Sequence, residues 1–382
     1  MKTNIKNFGW SYGHNVPEGT REQYERCVVR MHVNLEEFND DIDHIGLGKY
    51  HYFNGMQGAD KIYYTRNYAG IGCMRIRAEG FLSDEPKITV NRAYYKLIIH
   101  RIMNLHSIPY IMTDLATLLL LKKGYAPIHC SAFKKNESTL TVFAPSNTGK
   151  TMSCLIACTD YGAEFIAEDL AITDGFSAYS VPWTNSFRHY PGIRNNEQTK
   201  TSYITKTRFS IYDYFNKKTN NKKKITEYVG DSSRTNVHKV THIAILERGD
   251  NLVRETTEEE SLQKIMNLNR YIFNYLRSPL LTAYEFFNPE LRIDQALANE
   301  REILTDLIRN SEKVFSVKKN DATQYAKELL GQIGSPITHA DAVKGFWKEA
   351  VDYEKEIVVR HDYSTKSADS EGPIEDIGNG RV

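Results

Sequence analysis

The run APSNTGKT has the residue types and the spacing of a loop that binds phosphate groups. It fits the pattern [AG]-x4-G-K-[ST], in which backbone N–H groups wrap a polyphosphate, a lysine reaches the outer phosphates and a hydroxyl ligates Mg²⁺. Here the lysine is Lys150 and the hydroxyl belongs to Thr151. The loop has one glycine, and an alanine stands at the position of the first glycine. The residues predicted to contact a bound nucleotide are Ala144, Ser146, Asn147, Thr148, Gly149, Lys150, Thr151 and Met152.

Two carboxylates follow this loop closely and could complete a site for phosphoryl transfer. Glu168 and Asp169 end the apolar run AEFIAEDL, and 18 residues separate Lys150 from Asp169. Phosphoryl transfer needs one carboxylate that holds Mg²⁺ and another that orients or deprotonates the attacking group. A Ras-like GTPase would carry this acid farther along the sequence from the loop and would add an N-K-x-D motif that recognises guanine. Here the run NKKT at 216–219 lacks the aspartate. The spacing therefore favours a kinase over a GTPase switch.

The segments around the loop must bring these groups together. The run TLTVFA predicts a strand that enters the loop, and TMSCLIACTDYG predicts a helix that ends at Gly162. A strand over 163–170 would then carry the acidic pair at its end. Upstream, PIHCSAF predicts one strand over 127–133, joined to TLTVFA by the polar five-residue connection KKNES.

The spacing of apolar residues predicts elements along the rest of the chain. These are strands at 61–67 and 72–80, a helical stretch over 91–122 with a break at 106–109, a helical stretch over 290–315, and a disordered tail over 362–382. The apolar positions of the second helical stretch suit packing against the core rather than chemistry.

Taken together, IHCSAF, the hairpin, VFAPSNTGKT, the glycine-ended helix and FIAEDLAITDG resemble the catalytic core of the HPr kinase/phosphorylase-like family. In that family a strand with a histidine precedes the phosphate loop, and an Asp-Asp pair ends the following strand. The fold is shared with phosphoenolpyruvate carboxykinase. The run HIAILERGDNLVRETTEEESLQKI is similar to a strand–turn–strand–helix element of the family's non-regulatory kinases. The resemblance covers roughly 90–270 and is strongest over 128–175.

This resemblance implies an α/β fold with an HPr-kinase/PEP-carboxykinase-like P-loop core, a mixed sheet, and N-terminal and C-terminal additions. It implies ATP and Mg²⁺ as cofactors, and His129 falls on the family's active-site histidine. Lys150 and Thr151 fall on the nucleotide and Mg²⁺ residues, and Glu168 and Asp169 fall on the acidic pair, with glutamate in the place of the first aspartate. The predicted segments are a polar and aromatic segment at 1–60, a nucleotide-binding catalytic domain at 61–288, a helical extension at 289–361 and the tail at 362–382.

The region after the acidic pair departs from the family. The glycine-rich signature of true HPr kinases has no counterpart between Asp174 and Asn236, which disfavours HPr as the substrate. The same region carries Arg188, which either clamps a phosphoryl group or substrate anion or is an ordinary charged residue of a surface turn. It also carries a basic stretch at 200–224, interpreted as a solvated insertion rather than a dock for an acidic substrate.

These observations predict an ATP-dependent and Mg²⁺-dependent kinase that transfers the γ-phosphoryl group to a hydroxyl of a peptide or protein serine. In this hypothesis Thr151 and Asp169 hold Mg²⁺, Glu168 is the base that activates the hydroxyl, and His129 supports that carboxylate. Two alternatives stay open. One is a kinase of a small molecule such as a sugar, and the other is a nucleotide-binding regulatory protein without transfer activity.

Composition limits the remaining classes of function. The chain has 382 residues, 41% of them hydrophobic, and a net charge of +1, so no global field attracts nucleic acid or an anionic membrane. No apolar run is long enough to span a bilayer, and the first residues do not form a signal sequence. The sequence therefore predicts a cytoplasmic protein with reduced thiols and with neither a membrane nor a nucleic-acid partner. Because members of the family assemble, a homo-oligomer stays open.

Overall fold

The computed structural model describes residues 1–5, 19–38, 45–46, 52–55, 58–68, 72–99, 108–181 and 237–335. Within these ranges the chain forms a mixed α/β structure with three sheets. The predicted α/β class is thereby confirmed, whereas the HPr-kinase-like identity of its core stays a prediction. No helix in the described ranges is both long and apolar enough to cross a membrane. The five cysteines are free thiols.

The first sheet has seven strands from the N-terminal part of the chain. They are β1 (Lys2–Thr3), β2 (His32–Leu35), β3 (Ile45–Gly46), β4 (Tyr52–Gly55), β5 (Lys61–Tyr68), β6 (Gly72–Glu79) and β7 (Lys87–Val90), in the order β1-β2-β7-β6-β5-β4-β3. The strands predicted at 61–67 and 72–80 are confirmed as β5 and β6. Strand β6 alternates because Met74, Ile76 and Ala78 are buried on one face. The strands described within the segment 1–60, β1 to β4, therefore pair in the same sheet as β5 to β7.

Three helices accompany this sheet. They are α1 (Arg21–Glu25), α2 (Arg92–Ile99) and α3 (Ile108–Lys122). The helical stretch predicted over 91–122 is confirmed at 92–99 and 108–122, whereas 100–107 lie outside the described residues. Helix α3 begins at Ile108, so the second half of the break predicted at 106–109 is helical. Leu115 and Leu118 of α3 are fully buried in the core cluster that also contains residues of β6 and β7. Gly124 has a φ of 81° just after α3, a left-handed conformation in which glycine commonly ends a helix.

The candidate site lies on the second sheet, which has six strands. They are β9 (Ser131–Lys135), β10 (Ser138–Phe143), β11 (Glu164–Ala167), β15 (His242–Arg248), β16 (Leu252–Glu255) and β17 (Lys313–Lys319), in the order β11-β9-β10-β15-β17-β16. The third sheet contains β8 (Ala126–Ile128), β12 (Ala171–Thr173), β13 (Ser177–Ser180) and β14 (Val237–Lys239), in the order β14-β13-β12-β8.

Two local predictions around the loop were wrong in detail. The single strand predicted over 127–133 is broken at His129 and Cys130, because β8 pairs in the third sheet and β9 in the second. The connection between β9 and β10 is also shorter than predicted. Lys135 pairs directly with Ser138, so only two residues form the turn, and the first of them, Asn136, has a φ of 54°.

The helix predicted after the loop is confirmed as α4 (Lys150–Thr159). Its apolar residues Met152 and Leu155 are buried in one cluster with Phe165 of β11 and Leu329. Gly162 follows the helix with a φ of 61°, as predicted for a glycine that reverses the chain. Helix α4 is therefore fixed against the second sheet by the face that its sequence pattern indicated.

The C-terminal part of the described chain contains the last three strands of the second sheet and four helices. The helices are α5 (Glu258–Ile272), α6 (Pro279–Phe287), α7 (Ile293–Asn310) and α8 (Tyr325–Gln332). The strand–turn–strand–helix prediction for 242–265 is confirmed as β15, β16 and α5. The helical stretch predicted over 290–315 ends at Asn310, and 313–319 form β17 between β15 and β16. The predicted helical extension at 289–361 therefore contains a strand of the second sheet, on the far side of the boundary predicted at residue 288.

Three of the sequence predictions fall outside the described residues. They concern Arg188, the basic stretch at 200–224 and the tail at 362–382.

Candidate active site

The sheet order explains why residues far apart in sequence meet at one edge. Both β10 and β11 pair antiparallel with β9, so they are parallel to each other with β9 between them. Their carboxyl ends therefore lie at the same edge, where β9 begins. The loop 144–149 leaves β10 at this edge, the acidic pair follows β11, and His129 stands two residues before β9. This position puts His129 between the loop and the acids.

The loop between β10 and α4 obtains its shape from two residues with left-handed backbone. Gly149 has a φ of 119°, and a Cβ at this position would lie 2.8 Å from Ala322 Cβ. Asn147 has a φ of 60°, a conformation that asparagine tolerates better than most residues. The loop thus meets its backbone requirement with one glycine and one asparagine, although the sequence pattern favours more glycines.

The other predicted nucleotide contacts differ in exposure. Ala144 is fully buried at the end of β10, whereas Ser146 and Asn147 are exposed at the loop's tip. Thr148 is buried, and its N–H donates to Pro145 O at 3.4 Å. The side chain of Met152 is fully buried in the apolar cluster, so only its backbone is suited to contact a phosphate.

Lys150 is the centre of a buried polar cluster. Its side chain is only 6% exposed, and its Nζ lies 3.2 Å from His129 Nε2 and 3.4 Å from Asp169 Oδ1. The Nδ1 of His129 lies 2.9 Å from the backbone oxygen of Asp169. Because a carbonyl oxygen only accepts, Nδ1 carries the proton and Nε2 accepts from the ammonium of Lys150. Asp169, with a φ of 64° and a side chain 44% exposed, is the part of the cluster that solvent reaches.

His129 is held in its neutral form. Burial, and secondly the neighbouring charge of Lys150, lower the pKa of His129 to about 4. The adjacent thiol of Cys130 is also unreactive, because burial raises its pKa to about 12. The cluster therefore presents a lysine cation, a neutral imidazole and a carboxylate, without a thiolate nucleophile.

Thr151 and Glu168 form the second pair of the site. Thr151 Oγ1 donates to Glu168 Oε1 at 2.6 Å, and Glu168 is 1% exposed. The structure thus brings Thr151 against Glu168 and Lys150 against Asp169, whereas the sequence hypothesis assigned Mg²⁺ to Thr151 and Asp169. A hydroxyl oxygen and a carboxylate oxygen are hard ligands that fit Mg²⁺, which commonly takes few protein ligands together with phosphate and water. In the described ranges no group of three or more His, Cys, Asp or Glu could hold a metal on its own.

A buried network behind His129 was missed by the sequence analysis. Asn269 Oδ1 accepts from the backbone N–H of His129 at 3.0 Å. Asn269 Nδ2 donates to Pro127 O and to Glu300 Oε1, each at 3.0 Å. Tyr275 OH donates to Glu300 Oε2 at 2.8 Å. Asn269, Tyr275 and Glu300 are all at most 2% exposed. The available signal was that Asn269 lies on the apolar face of α5, at helical spacing from Leu262 and Ile265, where a polar residue needs a partner.

Arg248 is a second residue that the sequence analysis missed. It is the last residue of β15, and its Nη2 donates to Asn147 O in the loop at 2.5 Å. Within the predicted site the structure therefore brings together His129, Lys150, Thr151, Glu168 and Asp169, and it adds Arg248 at the loop. The predicted role of Arg188 cannot be placed on this geometry because that residue is outside the described chain.

Comparisons with known proteins give little beyond this geometry. No protein-family profile and no curated protein sequence matches the chain. Among solved structures, it is similar to the HPr(Ser) kinase/phosphatase from Coxiella burnetii, at 9% sequence identity and a TM-score of 0.23. That alignment covers 64% of this chain and 99% of the other. A TM-score of this size does not establish a common fold, so membership in the HPr kinase/phosphorylase-like family stays a prediction.

Proposed function

We propose that this protein binds ATP with Mg²⁺ and transfers the terminal phosphoryl group to a hydroxyl of a peptide or protein serine. The observation that carries the proposal is the position of Lys150. Its ammonium lies at the start of α4, beside the loop and within 3.4 Å of Asp169. A helix start whose N-cap residue, Gly149, has no capping side chain, a lysine cation and two carboxylates are groups that phosphoryl transfer uses.

Each group then has a distinct role. The amides of the loop 144–149 and the ammonium of Lys150 bind the β- and γ-phosphates. Thr151 and Glu168 would hold Mg²⁺, which neutralises charge on the phosphates when it is bound. Their direct contact favours this pair over the pair of Thr151 and Asp169 that the sequence suggested.

In this assignment Asp169, rather than Glu168, is the base that activates the hydroxyl. A base must reach the incoming hydroxyl, and Asp169 is 44% exposed whereas Glu168 is 1% exposed. His129 holds the backbone oxygen of Asp169 and accepts from Lys150, so it orients both groups. When the phosphates bind Lys150, the carboxylate of Asp169 loses its ammonium partner and becomes available to accept the hydroxyl proton.

The first experiment measures binding and hydrolysis of ATP by the full chain, with and without Mg²⁺. Lys150→Ala should weaken ATP binding, because it removes the buried cation that lies at the start of α4. The matched control is Lys327→Ala, which removes an exposed lysine from α8. If the wild type binds no ATP, or if both variants bind as the wild type does, the proposal fails.

The acceptor separates the proposed kinase from its alternatives. A screen of serine peptides and of small hydroxyl compounds such as sugars, followed by transfer of ³²P from labelled ATP, identifies the acceptor class. Label on sugars but not on peptides would favour the small-molecule kinase. Tight ATP binding without hydrolysis or transfer would favour a nucleotide-binding regulatory protein. The proximity of Lys150 to Asp169 supports transfer over binding alone, because binding does not require a carboxylate there.

A further inference from the structure

Arg248 occupies the side of the phosphate loop away from the acidic pair. Strand β15 pairs parallel with β10, so their carboxyl ends share the edge of the sheet where the loop begins. In the strand order, β9 and β11 lie on one side of β10 and β15 lies on the other. The register of β15 with β10 ends at Ile245, and β15 continues against β17 to Arg248. The last residues of β15 therefore extend beyond β10, alongside the loop.

The strand end that carries Arg248 is held in place. Tyr325 is fully buried, and its hydroxyl donates to Glu247 O at 2.5 Å and lies 3.2 Å from Lys319 O. This side chain therefore ties the carboxyl ends of β15 and β17 together. From this position Arg248 Nη2 donates to Asn147 O, at the exposed tip of the loop.

The charge of Arg248 is not neutralised by a carboxylate in the described chain. Its neighbours on β17 both have such partners, since Lys318 lies 3.1 Å from Glu247 and Lys319 lies 2.9 Å from Glu328. Arg248 itself makes no ion pair with a described carboxylate and is exposed. A guanidinium has five N–H donors in a planar fork, so one bond to Asn147 O leaves donors for an anion.

We infer that Arg248 binds the phosphate nearest the nucleoside, the α-phosphate of ATP or ADP. The inference rests on the proposed function and extends it to the opposite end of the nucleotide. Mg²⁺ and Lys150 act on the terminal phosphates, and the groups that would hold them lie toward β9 and β11. A polyphosphate that lies across the loop with its terminal phosphates toward β9 and β11 has its nucleoside end near β15. A cation at this place stabilises ATP and ADP alike and does not contact the γ-phosphate.

The test is calorimetric titration of the full chain with ATP, ADP and inorganic pyrophosphate in the presence of Mg²⁺. Arg248→Ala should weaken the binding of ATP and the binding of ADP by the same factor, roughly tenfold to a hundredfold for a charge-assisted contact. Pyrophosphate has no nucleoside end and fills the cradle beside Lys150, so its affinity should not change. Arg254→Ala is the matched control, since Arg254 lies on the outermost strand of the same sheet and bonds to Glu260.

Each other outcome overturns the inference. A loss of affinity for ATP much larger than the loss for ADP would mean that Arg248 contacts the terminal phosphate. Equal losses for ATP, ADP and pyrophosphate would mean that Arg248 only shapes the loop through Asn147. Unchanged affinities would exclude a contact with any phosphate. A wild-type protein that binds pyrophosphate but no nucleotide would also refute the inference, and one that binds none of the three refutes the proposed function itself.

Discussion

Thr151 Oγ1 and Glu168 Oε1 are joined by a hydrogen bond of 2.6 Å between the first turn of α4 and the end of β11. The bond connects the helix that follows β10 to the residue that follows β11, and Glu168 is buried beneath it. The neighbouring acid, Asp169, turns to Lys150 and toward solvent. Two adjacent carboxylates therefore have different partners and different exposure, which allows their roles to be separated experimentally.

The first prediction separates the two acids by their dependence on Mg²⁺. Glu168→Gln should abolish the gain in ATP affinity that Mg²⁺ gives, and should leave binding in EDTA unchanged, because the lost charge is a metal ligand. Asp169→Asn should keep that gain and reduce turnover by about 10²-fold or more, as expected for a lost base. Titrations of both variants with and without Mg²⁺ measure this. The reverse pattern would restore the pair of Thr151 and Asp169 as the metal ligands.

The second prediction concerns the stability of the fold below neutral pH. The pKa of His129 is lowered to about 4 in the folded chain, so the unfolded chain, with a pKa near 6.5, binds the proton more readily. The stabilisation is therefore complete above pH 6.5 and is lost as the pH falls toward 4. We expect the free energy of unfolding to decrease over this window by on the order of 2–3 kcal/mol from this residue.

Denaturant unfolding of the wild type and of His129→Asn at several pH values checks this prediction. The variant should show a flatter dependence between pH 6.5 and 4. His242→Asn is the comparison variant. Burial also lowers the pKa of His242, so this variant removes a separate contribution to the pH dependence of stability. If the wild type and His129→Asn have parallel pH profiles, the imidazole is not held neutral by its surroundings.

The third prediction concerns the network behind the imidazole. Asn269→Asp replaces the donor to Glu300 by a second buried carboxylate, so it should destabilise the fold by about 2–4 kcal/mol. Adding Glu300→Gln should recover part of this loss, because a glutamine amide can donate to the new aspartate. Urea unfolding of both single variants and of the double variant gives the coupling energy. Strictly additive effects would mean that the two side chains do not interact.

The fourth prediction concerns the single glycine of the phosphate loop. Gly149→Ala combines an unfavourable φ with a Cβ only 2.8 Å from Ala322 Cβ, so it should destabilise by on the order of 3 kcal/mol and abolish ATP binding. Ala322→Gly in the same chain should remove the closest contact of this Cβ and restore some stability. Gly124→Ala is the control for the backbone contribution alone, because its φ is 81° and nothing lies within 4 Å of the methyl group that the substitution adds. Thermal unfolding of these variants measures both parts, and equal losses at the two glycines would contradict the steric contact.

The local elements of the site were predictable from the sequence, whereas its partners were not. The strand, loop and helix around Lys150 follow from apolar spacing, a glycine and a lysine at fixed positions. The break at His129 was not visible, because the residues on both sides are apolar and suit either sheet. Asn269 and Arg248 were missed because their contacts depend on the order of strands and helices, which local patterns do not encode. The run KVF at 313–315 was assigned to a helix because it continues the apolar spacing of α7.

The position of β17 also affects the order in which the protein can assemble during synthesis. Strand β15 has β10 on one side and β17 on the other, and the last strand residue, Lys319, is made long after the loop. Until that part of the chain leaves the ribosome, the strand β15 keeps an open edge able to pair with other nascent chains. Parallel pairings between segments so distant in sequence form slowly. A translational stop before residue 313 would therefore leave the phosphate loop translated but its supporting sheet incomplete and prone to aggregation.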